Sequence, residues 1–381
     1  MGSSHVMQSA PGPRTVIDGR EFLYFAGTGY LGLQGHPALA DAACEAMRQY
    51  GMGTATTRAG FGNNPVTLGV ESAAAELFGM QASLYFASGY SGAAVLARAV
   101  EGEVDAVFVD DQSHFSVMDA LRILPGPPNV FAHRDASSLR ETLGKVLRGG
   151  QRPLVISDGV FPVSGAIAPV AEYMDVLRSY EGSCLAVDDA HGLAVLGAMG
   201  RGILDFAELF RGNVNTVEGE SGGAPRLLMC GTLSKAVGGY GGIVPGSTAF
   251  IDRLKRRDPL HFAASAPPVP AAAATERALR IVMSEPERRE KLHENVRRVK
   301  QGLAGMGLVA DSTPVPIIPI DLGSIDRMRE AQQRLLERGV AIAYSSGYSS
   351  AGPNGALRIA VFATHTAEMI DQLLDELRRV I

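Results

Sequence analysis

Residues 227–242 read LLMCGTLSKAVGGYGG, and Lys235 within this stretch is the most informative residue of the chain. The apolar run at its start predicts a buried strand, and burying the ammonium group of Lys235 just beyond it is unfavourable unless the charge is neutralised. Thr232 and Ser234 offer hydroxyl groups to an anion, and the glycines that follow let the backbone approach a ligand closely. The stretch therefore predicts a partly desolvated lysine that acts as a nucleophile beside an anion site.

A second motif follows another apolar run, at residues 184–192, which read CLAVDDAHG. Because neighbouring residues of a strand point to opposite faces, only one of the two carboxylates enters a site, and Asp188 directly follows the apolar run. A strand-end lysine, a strand-end carboxylate and the nearby His191 form the set that pyridoxal phosphate (PLP) requires. The lysine forms an imine with it, and the carboxylate keeps its pyridine nitrogen protonated. An ordinary strand-end carboxylate and a structural histidine are the alternative interpretations.

Short apolar runs alternate with helical patterns along the chain. The runs that predict buried strands are residues 84–86, 106–109, 130–132, 154–156, 185–187 and 227–229. Segments between them, such as 137–147 and 170–180, predict helices. This alternation is typical of an α/β domain with a mostly parallel sheet, which binds its ligands beyond the carboxyl ends of the strands.

The pattern changes after Pro245. Long helical segments at 268–283 and 285–306 lead to a smaller α/β unit, with strands expected at 315–320, 341–344 and 357–361 and a last helix at 366–380. We therefore expect an N-terminal segment (1–50), a large PLP-binding domain (51–248) and a small C-terminal domain (249–381) that includes the N-terminal segment. Residues 212–225 are polar and glycine-rich, which predicts a surface insertion.

Three further groups are candidates for a site. His114 follows a predicted strand, where its ring could lie flat on a pyridine ring or could simply start a helix. Ser88, Gly89 and Tyr90 stand between a strand and a helix, a place where backbone N–H groups hold anions, although an ordinary turn looks the same. Arg358 lies within an apolar strand and needs a partner, which is either a substrate carboxylate or a structural ion pair.

The composition excludes several classes of protein. The chain has 381 residues, of which 46% are hydrophobic, and a net charge of −5, which argues against a nucleic-acid partner. The basic cluster at 253–257 is interpreted as a solvated helix face, with contact to a small anionic cosubstrate such as coenzyme A as the alternative. No apolar run approaches the roughly 20 residues of a membrane span. Three cysteines without CxxC spacing suit reduced thiols, so we expect a cytoplasmic protein.

Taken together, these motifs resemble the α-oxoamine synthase family of fold-type I PLP enzymes. The resemblance runs from residues 30–33 (YLGL) to 357–359 (LRI), which is nearly the whole chain. Its most specific parts are 188–192 (DDAHG), 200–202 (GRG) and 232–236 (TLSKA), supported by 113–116 (SHFS) and 158–161 (DGVF).

The resemblance implies a role for each candidate residue. Lys235 would carry the cofactor, Asp188 would contact its ring nitrogen and His191 its phenolic oxygen. His114 would stack on the ring, and Arg358 would bind the carboxylate of an amino acid. The residues expected around the cofactor's phosphate are Ser88, Gly89, Tyr90, Thr232 and Ser234. The family also implies a homodimer with the site at the subunit interface.

Four positions depart from the family's pattern. Thr28, which we count among the substrate-binding residues, stands where the family usually has asparagine, and Ala59 stands where it often has histidine. Pro162 replaces a serine or similar small residue, and Ala264 lacks a hydroxyl that the family offers to the phosphate across the dimer. We expect these changes to lie around the substrate and infer the same cofactor with a shifted substrate or a modified reaction.

The activity implied is a decarboxylative Claisen condensation of an amino acid with an acyl thioester, carried by coenzyme A or a carrier protein, to an α-amino ketone. One alternative keeps PLP but performs transamination, aldol cleavage or racemisation. Another is a PLP-binding protein without turnover. The sequence leaves open the amino acid, the acyl chain and the carrier.

Overall fold

Two β-sheets organise the molecule in its computed structural model, which describes residues 5–210, 214–216, 224–308, 311–347 and 351–381. The strands are β1 (Arg14–Ile17), β2 (Arg20–Phe25), β3 (Ala82–Phe86), β4 (Ala106–Asp110), β5 (Asn129–Phe131), β6 (Pro153–Asp158), β7 (Cys184–Asp188), β8 (Arg226–Thr232), β9 (Gly242–Gly246), β10 (Ile317–Ile320), β11 (Val340–Ser345) and β12 (Ala356–Ala360).

The α-helices surround these sheets. They are α1 (Pro37–Tyr50), α2 (Pro65–Phe78), α3 (Gly92–Val100), α4 (Phe115–Ala120), α5 (Ala136–Val146), α6 (Val170–Leu177), α7 (Ile203–Phe206), α8 (Thr248–Arg257), α9 (Pro259–Phe262), α10 (Val269–Ser284), α11 (Glu287–Ala304), α12 (Ile325–Glu337) and α13 (Ala367–Val380). Among the described residues, none of these helices combines the length and the apolar character that a membrane span needs.

The larger sheet has the order β3-β9-β8-β7-β6-β4-β5, and only β9 runs against the other strands. Side chains alternate between two apolar clusters along its central strands: Leu185 and Val187 of β7 enter one cluster, and Cys184 and Ala186 enter the other. A sheet that is covered on both faces requires nearly continuous apolar strands, which is the pattern seen in the sequence. The prediction of a mostly parallel α/β sheet is confirmed.

The smaller sheet has the order β1-β2-β11-β12-β10 and joins both ends of the chain. β1 and β2 form a hairpin across Asp18 and Gly19, which both have positive φ, as a tight type I′ turn requires. β2 then pairs in parallel with β11. The sequence analysis missed this hairpin, although an Asp-Gly pair between two β-rich runs is its usual signal.

The other predicted elements of the C-terminal part are present, with ends that differ by one to a few residues. The expected strands correspond to β10, β11 and β12, and the last helix begins at Ala367, one residue later than predicted. Thr366 lies just before it as the cap, because its side chain accepts a hydrogen bond from the backbone N–H of Met369.

The surface insertion expected at 212–225 is partly wrong. Val214 and Asn215 are buried, and the side-chain amide of Asn215 donates to the carbonyl groups of Met229 and Pro245. This segment therefore fastens β8 to β9 instead of lying in solvent. Residues 212, 213 and 217–223 of the expected insertion lie outside the described part of the chain.

The basic cluster on α8 is partly tied up within the fold. Arg253 and Arg257 each donate to Oε1 of Glu103, at 2.8 and 3.0 Å, and Arg226 donates to its Oε2 at 2.8 Å. Two of the four cationic side chains at 253–257 thus meet an internal carboxylate, so the interpretation as a purely solvated face was too simple.

Candidate active site

Polar residues at the carboxyl ends of the parallel strands meet residues of the smaller sheet around one cavity of about 370 Å³. Every residue predicted as part of a site contributes to its wall: Thr28, Ser88, Gly89, Tyr90, His114, Asp188, His191, Thr232, Ser234, Lys235 and Arg358. Residues separated by up to 330 positions thus face one another because strand ends collect at one edge of the sheet. The role of each residue stays a prediction.

Lys235 lies in the loop that follows β8, with its Nζ 2.8 Å from Nε2 of His191. Burial lowers the pKa of Lys235 from 10.5 to about 8, although the carboxyl groups of Asp188 and Asp158 act in the opposite direction. A lysine amine that loses its proton this close to neutral pH is a competent nucleophile and base.

Asp188 ends β7 with its side chain in the cavity wall. Its Oδ1 accepts from the backbone N–H of Ala190 at 3.2 Å, and its Oδ2 from the hydroxyl of Ser116 at 3.4 Å. Burial raises the pKa of Asp188, and the charge of Lys235 works against this rise. A second cation, such as a protonated pyridine nitrogen, would stabilise this carboxylate.

Asp189 points away from the cavity, as strand alternation predicts. Its Oδ2 accepts from the backbone N–H of Ile203 at 2.7 Å, and it packs against Gly192 and Gly202, where any Cβ would overlap its carboxyl group. Asp189 therefore fastens the loop after β7 to α7, which leaves Asp188 as the carboxylate of the site.

His114 both caps α4 and lines the cavity. Its Nδ1 accepts from the backbone N–H of Ser116 at 3.2 Å and lies 2.8 Å from the Ser116 hydroxyl. Burial, and then the charge of Lys235, lowers the pKa of His114, so the ring is neutral at neutral pH. The two interpretations made from the sequence, a ring against a cofactor and a helix start, are compatible in one residue.

The residues expected around a phosphate form a cradle. Ser88 caps the short turn Gly89–Ser91 before α3, where its Oγ accepts from the backbone N–H of Tyr90 at 3.3 Å. On the other side, the hydroxyl groups of Thr232 and Ser234 lie 2.9 Å apart. A Cβ on Gly89 would overlap Oγ1 of Thr232, so the close approach of these segments requires glycine.

This cradle fits the phosphate of PLP. Backbone N–H groups at the start of a helix and two hydroxyl groups are donors for a phosphate dianion. Asp188 lines the same cavity and offers an acceptor to a protonated ring nitrogen, and Lys235 supplies the amine. These residues therefore offer a partner to the phosphate, the ring nitrogen and the aldehyde group of the cofactor.

Arg358, on β12, is buried and held by three hydrogen bonds. Its Nε donates to the carbonyl of Pro162 at 2.8 Å, Nη1 to the carbonyl of Gly27 at 2.9 Å and Nη2 to the hydroxyl of Tyr30 at 3.1 Å. Within the described residues no carboxylate pairs with it, so a structural ion pair is not what holds it. Each terminal nitrogen keeps one N–H for a carboxylate.

Sequence reasoning missed several residues of the wall. Tyr30 was quoted only as part of a motif, yet it is fully buried and its hydroxyl lies 2.8 Å from Nδ1 of His191. A tyrosine in an apolar run is a usable signal, because its hydroxyl needs a partner when buried. Ala343, which pairs with Arg358 across the small sheet, and Ser345 also line the cavity and had no distinguishing signal.

The four departures from the family's pattern divide into two pairs. Thr28 and Pro162 line the cavity. Ala59 and Ala264 do not contribute to its wall in this chain; the backbone N–H of Ala59 donates to the carbonyl of His261, three positions before Ala264. Thr28 and Pro162 thus line the cavity within one chain, and the expectation that all four surround the substrate stays a prediction.

Comparison with known proteins places this architecture in a family. The family model described as aminotransferase class I and II matches residues 22–377. The chain is 35% identical, over 98% of its length, to 8-amino-7-oxononanoate synthase of Methylococcus capsulatus, and covers 92% of that protein. It is 32% identical, over 98% of its length, to 8-amino-7-oxononanoate synthase 1 of Bacillus subtilis, and covers 91% of it.

The chain belongs to the α-oxoamine synthase family. Among solved structures, serine palmitoyltransferase of Sphingomonas wittichii superposes with a TM-score of 0.89 at 25% identity, over 99% of this chain and 92% of that one. The 8-amino-7-oxononanoate synthase of Francisella tularensis shares the fold, with a TM-score of 0.75 at 20% identity, over 94% of this chain and 97% of that one. The predictions of the family, of fold type I, of PLP as cofactor and of an acyltransferase are confirmed.

Proposed function

We propose that this PLP-dependent α-oxoamine synthase joins a small amino acid to an acyl thioester, with loss of carbon dioxide, to give an α-amino ketone. The observation that carries the proposal is the convergence of Lys235, Asp188 and Arg358 on one cavity, together with a phosphate cradle. An amine, a carboxylate for a ring nitrogen and a guanidinium for a substrate carboxylate are the groups that this reaction needs.

Bound PLP supplies an electron sink for the negative charge that develops at the α-carbon of the amino acid. The protein itself has to orient the amino acid and remove the proton from its α-carbon. Lys235, whose pKa of about 8 lies near neutral pH, is the base that takes the α-proton. Asp188 would keep the nitrogen of the cofactor's pyridine ring protonated, and the neutral imidazole of His114 lines the same cavity.

Arg358 orients the amino acid. The carbonyl groups of Pro162 and Gly27 fix its guanidinium group, so the two remaining N–H groups present a fork of set direction to a carboxylate. A carboxylate bound by Arg358 would lie in the cavity that Lys235 also lines. The backbone position of Pro162 thus matters for binding even though its side chain replaces the family's hydroxyl.

The walls near Arg358 favour a small amino-acid side chain. Thr28, Ala343 and Ser345 line this part of the cavity with short side chains. The similar synthases are named for 8-amino-7-oxononanoate, which has an oxo group at C7, an amino group at C8 and a terminal methyl group at C9. A decarboxylative condensation gives this pattern from alanine and a seven-carbon dicarboxylic acyl group. We propose alanine, serine and glycine as the amino acids to test first.

The experiment combines amino acids with acyl thioesters of coenzyme A and of a carrier protein. Free thiol and carbon dioxide released together, and an α-amino ketone found by mass spectrometry, are the expected result. Keto acid without thiol would support transamination instead. The variant Lys235→Ala should lose the visible absorbance of covalently bound PLP and all thiol release, and an unchanged spectrum would overturn the role of Lys235.

We further propose a homodimer in the cytoplasm. Phe61 is 96% exposed, and Met52, Tyr240 and Phe262 are large apolar side chains that are 44% exposed or more. Large apolar side chains that are left exposed in one subunit are of the kind that an interface covers. Sedimentation of the holoenzyme should give twice the chain mass of 40.1 kDa.

The division into residues 1–50, 51–248 and 249–381 is also a proposal. The strands of the seven-stranded sheet lie within residues 82–246, and those of the five-stranded sheet end by Phe25 or begin at Ile317 or later. Limited proteolysis that cuts near residues 50 and 248 would support these boundaries.

A further inference from the structure

A continuous chain of hydrogen bonds joins Arg358 to Lys235 through two buried residues. Nη2 of Arg358 lies 3.1 Å from the hydroxyl of Tyr30, which lies 2.8 Å from Nδ1 of His191. The other ring nitrogen of His191, Nε2, lies 2.8 Å from Nζ of Lys235. The residue that is proposed to bind substrate is therefore connected to the residue that is proposed to react.

Arg358 fixes the direction in which the hydroxyl of Tyr30 donates. A guanidinium group has donors only, so the oxygen of Tyr30 accepts the hydrogen bond from Nη2. Tyr30 is fully buried, and the other polar group that contacts its hydroxyl among the described residues is Nδ1 of His191. Since a buried O–H needs an acceptor, Tyr30 donates to Nδ1.

This direction selects the tautomer of His191. Burial, and then the charges of Lys235, Arg358 and His114, keeps the pKa of His191 well below its ordinary value, so the imidazole is neutral. A neutral imidazole that accepts at Nδ1 carries its proton at Nε2. That N–H points at Nζ of Lys235, which can accept it only as a neutral amine.

We propose that Tyr30, held by Arg358, is a positioning residue that fixes His191 as the Nε2–H tautomer and so favours the neutral amine form of Lys235. The inference rests on the proposed function and deepens it, because only a neutral Lys235 attacks a carbonyl or removes a proton. The same N–H faces the cavity that fits PLP.

The hydroxyl of Tyr30 adds to the groups that already act on Lys235. Burial lowers the pKa of Lys235, and the positive charge of Arg358 on β12 lowers it further. The carboxyl groups of Asp188 and Asp158, at the ends of β7 and β6, raise it. Protonation of Lys235 would require His191 to accept at Nε2 and to carry its proton at Nδ1. The O–H of Tyr30 would then lose its acceptor, which disfavours the protonated lysine.

The test measures the pKa of Lys235 in the cofactor-free protein and in Tyr30→Phe. Competitive labelling with acetic anhydride from about pH 6 to 11, followed by peptide mass spectrometry, reports the midpoint, with Lys145, whose side chain is 75% exposed, as the internal reference. We expect the midpoint of Lys235 to rise by about one unit in Tyr30→Phe, because the variant has no buried hydroxyl that loses its acceptor when Lys235 is protonated.

Tyr24→Phe is the matched control. Tyr24 is a buried tyrosine of β2 that feels the charge of Arg358, as Tyr30 does, but its hydroxyl has no contact with His191 in the structure. The midpoint of Lys235 in Tyr24→Phe should equal the midpoint of Lys235 in the wild type. No shift in Tyr30→Phe, or the same shift in both variants, would overturn the proposal.

A second measurement does not depend on a variant that folds. In wild-type cofactor-free protein with ¹⁵N-labelled histidine, studied above the midpoint of Lys235, the signals of His191 should show a protonated Nε2 and an unprotonated Nδ1. A protonated Nδ1 would overturn the proposal. If the wild type binds PLP but the midpoint does not move, only the tautomer inference fails; if the wild type binds no PLP, the proposed function fails as well.

Discussion

Asp158 and Asp188 lie side by side, in register, at the ends of β6 and β7, and both are buried. Burial, and then the charge of Asp188, raises the pKa of Asp158 well above its ordinary value, and the backbone N–H of His114 offsets part of this. The pair therefore carries one negative charge more readily than two. A cation placed against Asp188 is what would let both carboxyl groups ionise.

We predict that Asp158→Asn stabilises the cofactor-free protein at neutral pH, by about 1–3 kcal/mol, because it removes a buried group that resists ionisation. The folded-state pKa of Asp158 is above the unfolded value of 3.8, so the folded protein holds its proton longer and stability falls as the pH rises between the two values. Asp158→Asn should flatten that decline, which thermal unfolding at several pH values would measure.

The amide in Asp158→Asn can still accept the hydrogen bond that the backbone N–H of His114 donates at 2.7 Å. Asp175→Asn is a suitable control, because that carboxyl is 66% exposed and its replacement should leave the melting temperature nearly unchanged. If Asp158→Asn melts at a lower temperature than the wild type at every pH, the carboxylate of Asp158 is charged and stabilises the fold.

We predict that Arg358→Lys raises the KM for the amino acid by 10-fold to 100-fold with a smaller loss in kcat. Lysine keeps a positive charge but cannot donate to the carbonyl groups of Pro162 and Gly27 and also grip a carboxylate with two N–H groups. The loss of one charge-assisted hydrogen bond is about 1.5–3 kcal/mol, which corresponds to this range. Steady-state kinetics with the acyl donor at saturation would measure it, and an unchanged KM would remove Arg358 from the substrate site.

We predict that Gly89→Ala weakens PLP binding by at least about 10-fold, because even a modest backbone shift at the phosphate cradle is worth more than about 1.4 kcal/mol. The added Cβ would overlap Oγ1 of Thr232 and push the two sides of the cradle apart. Gly144→Ala is the matched control, since a Cβ there meets open space on helix α5. Titration of the two cofactor-free variants with PLP would measure the difference. Equal affinities in Gly89→Ala and Gly144→Ala would show that Gly89 does not help to bind the phosphate.

The residues that line the cavity were easier to predict from the sequence than the long-range contacts that bring them together. Lys235, Asp188 and Arg358 each place a charge next to an apolar strand, and such a conflict is visible in a sequence because burial without a partner is unfavourable. The choice of Asp188 over Asp189 as the carboxylate in the cavity needed only the alternation of a strand. Each of these inferences needs only residues that are close together in the sequence.

The features that were missed depend on long-range contacts. The pairing of β2 with β11 joins residues more than 300 positions apart, and the sequence contains no sign of that register. Ala343 and Ser345 reach the cavity only because β11 lies beside β12. Asn215 was assigned to a surface loop because polar residues prefer turns, yet its amide donates to carbonyl groups of two buried strands.

The last prediction concerns the carboxylate that meets three arginines. Burial alone would raise the pKa of Glu103, but its hydrogen bond from Arg226 and the charges of Arg253, Arg226 and Arg257 outweigh burial and lower it. Glu103→Gln leaves these cations without their counter-ion, so we expect a loss of about 1–3 kcal/mol at neutral pH, measured by urea unfolding. Because the folded-state pKa is below the ordinary 4.5, the contribution of Glu103 is present above that value and disappears as the pH falls through the folded pKa. The difference between wild type and Glu103→Gln should therefore shrink in acid, whereas a difference that is constant with pH would mean that packing, and not charge, holds this cluster.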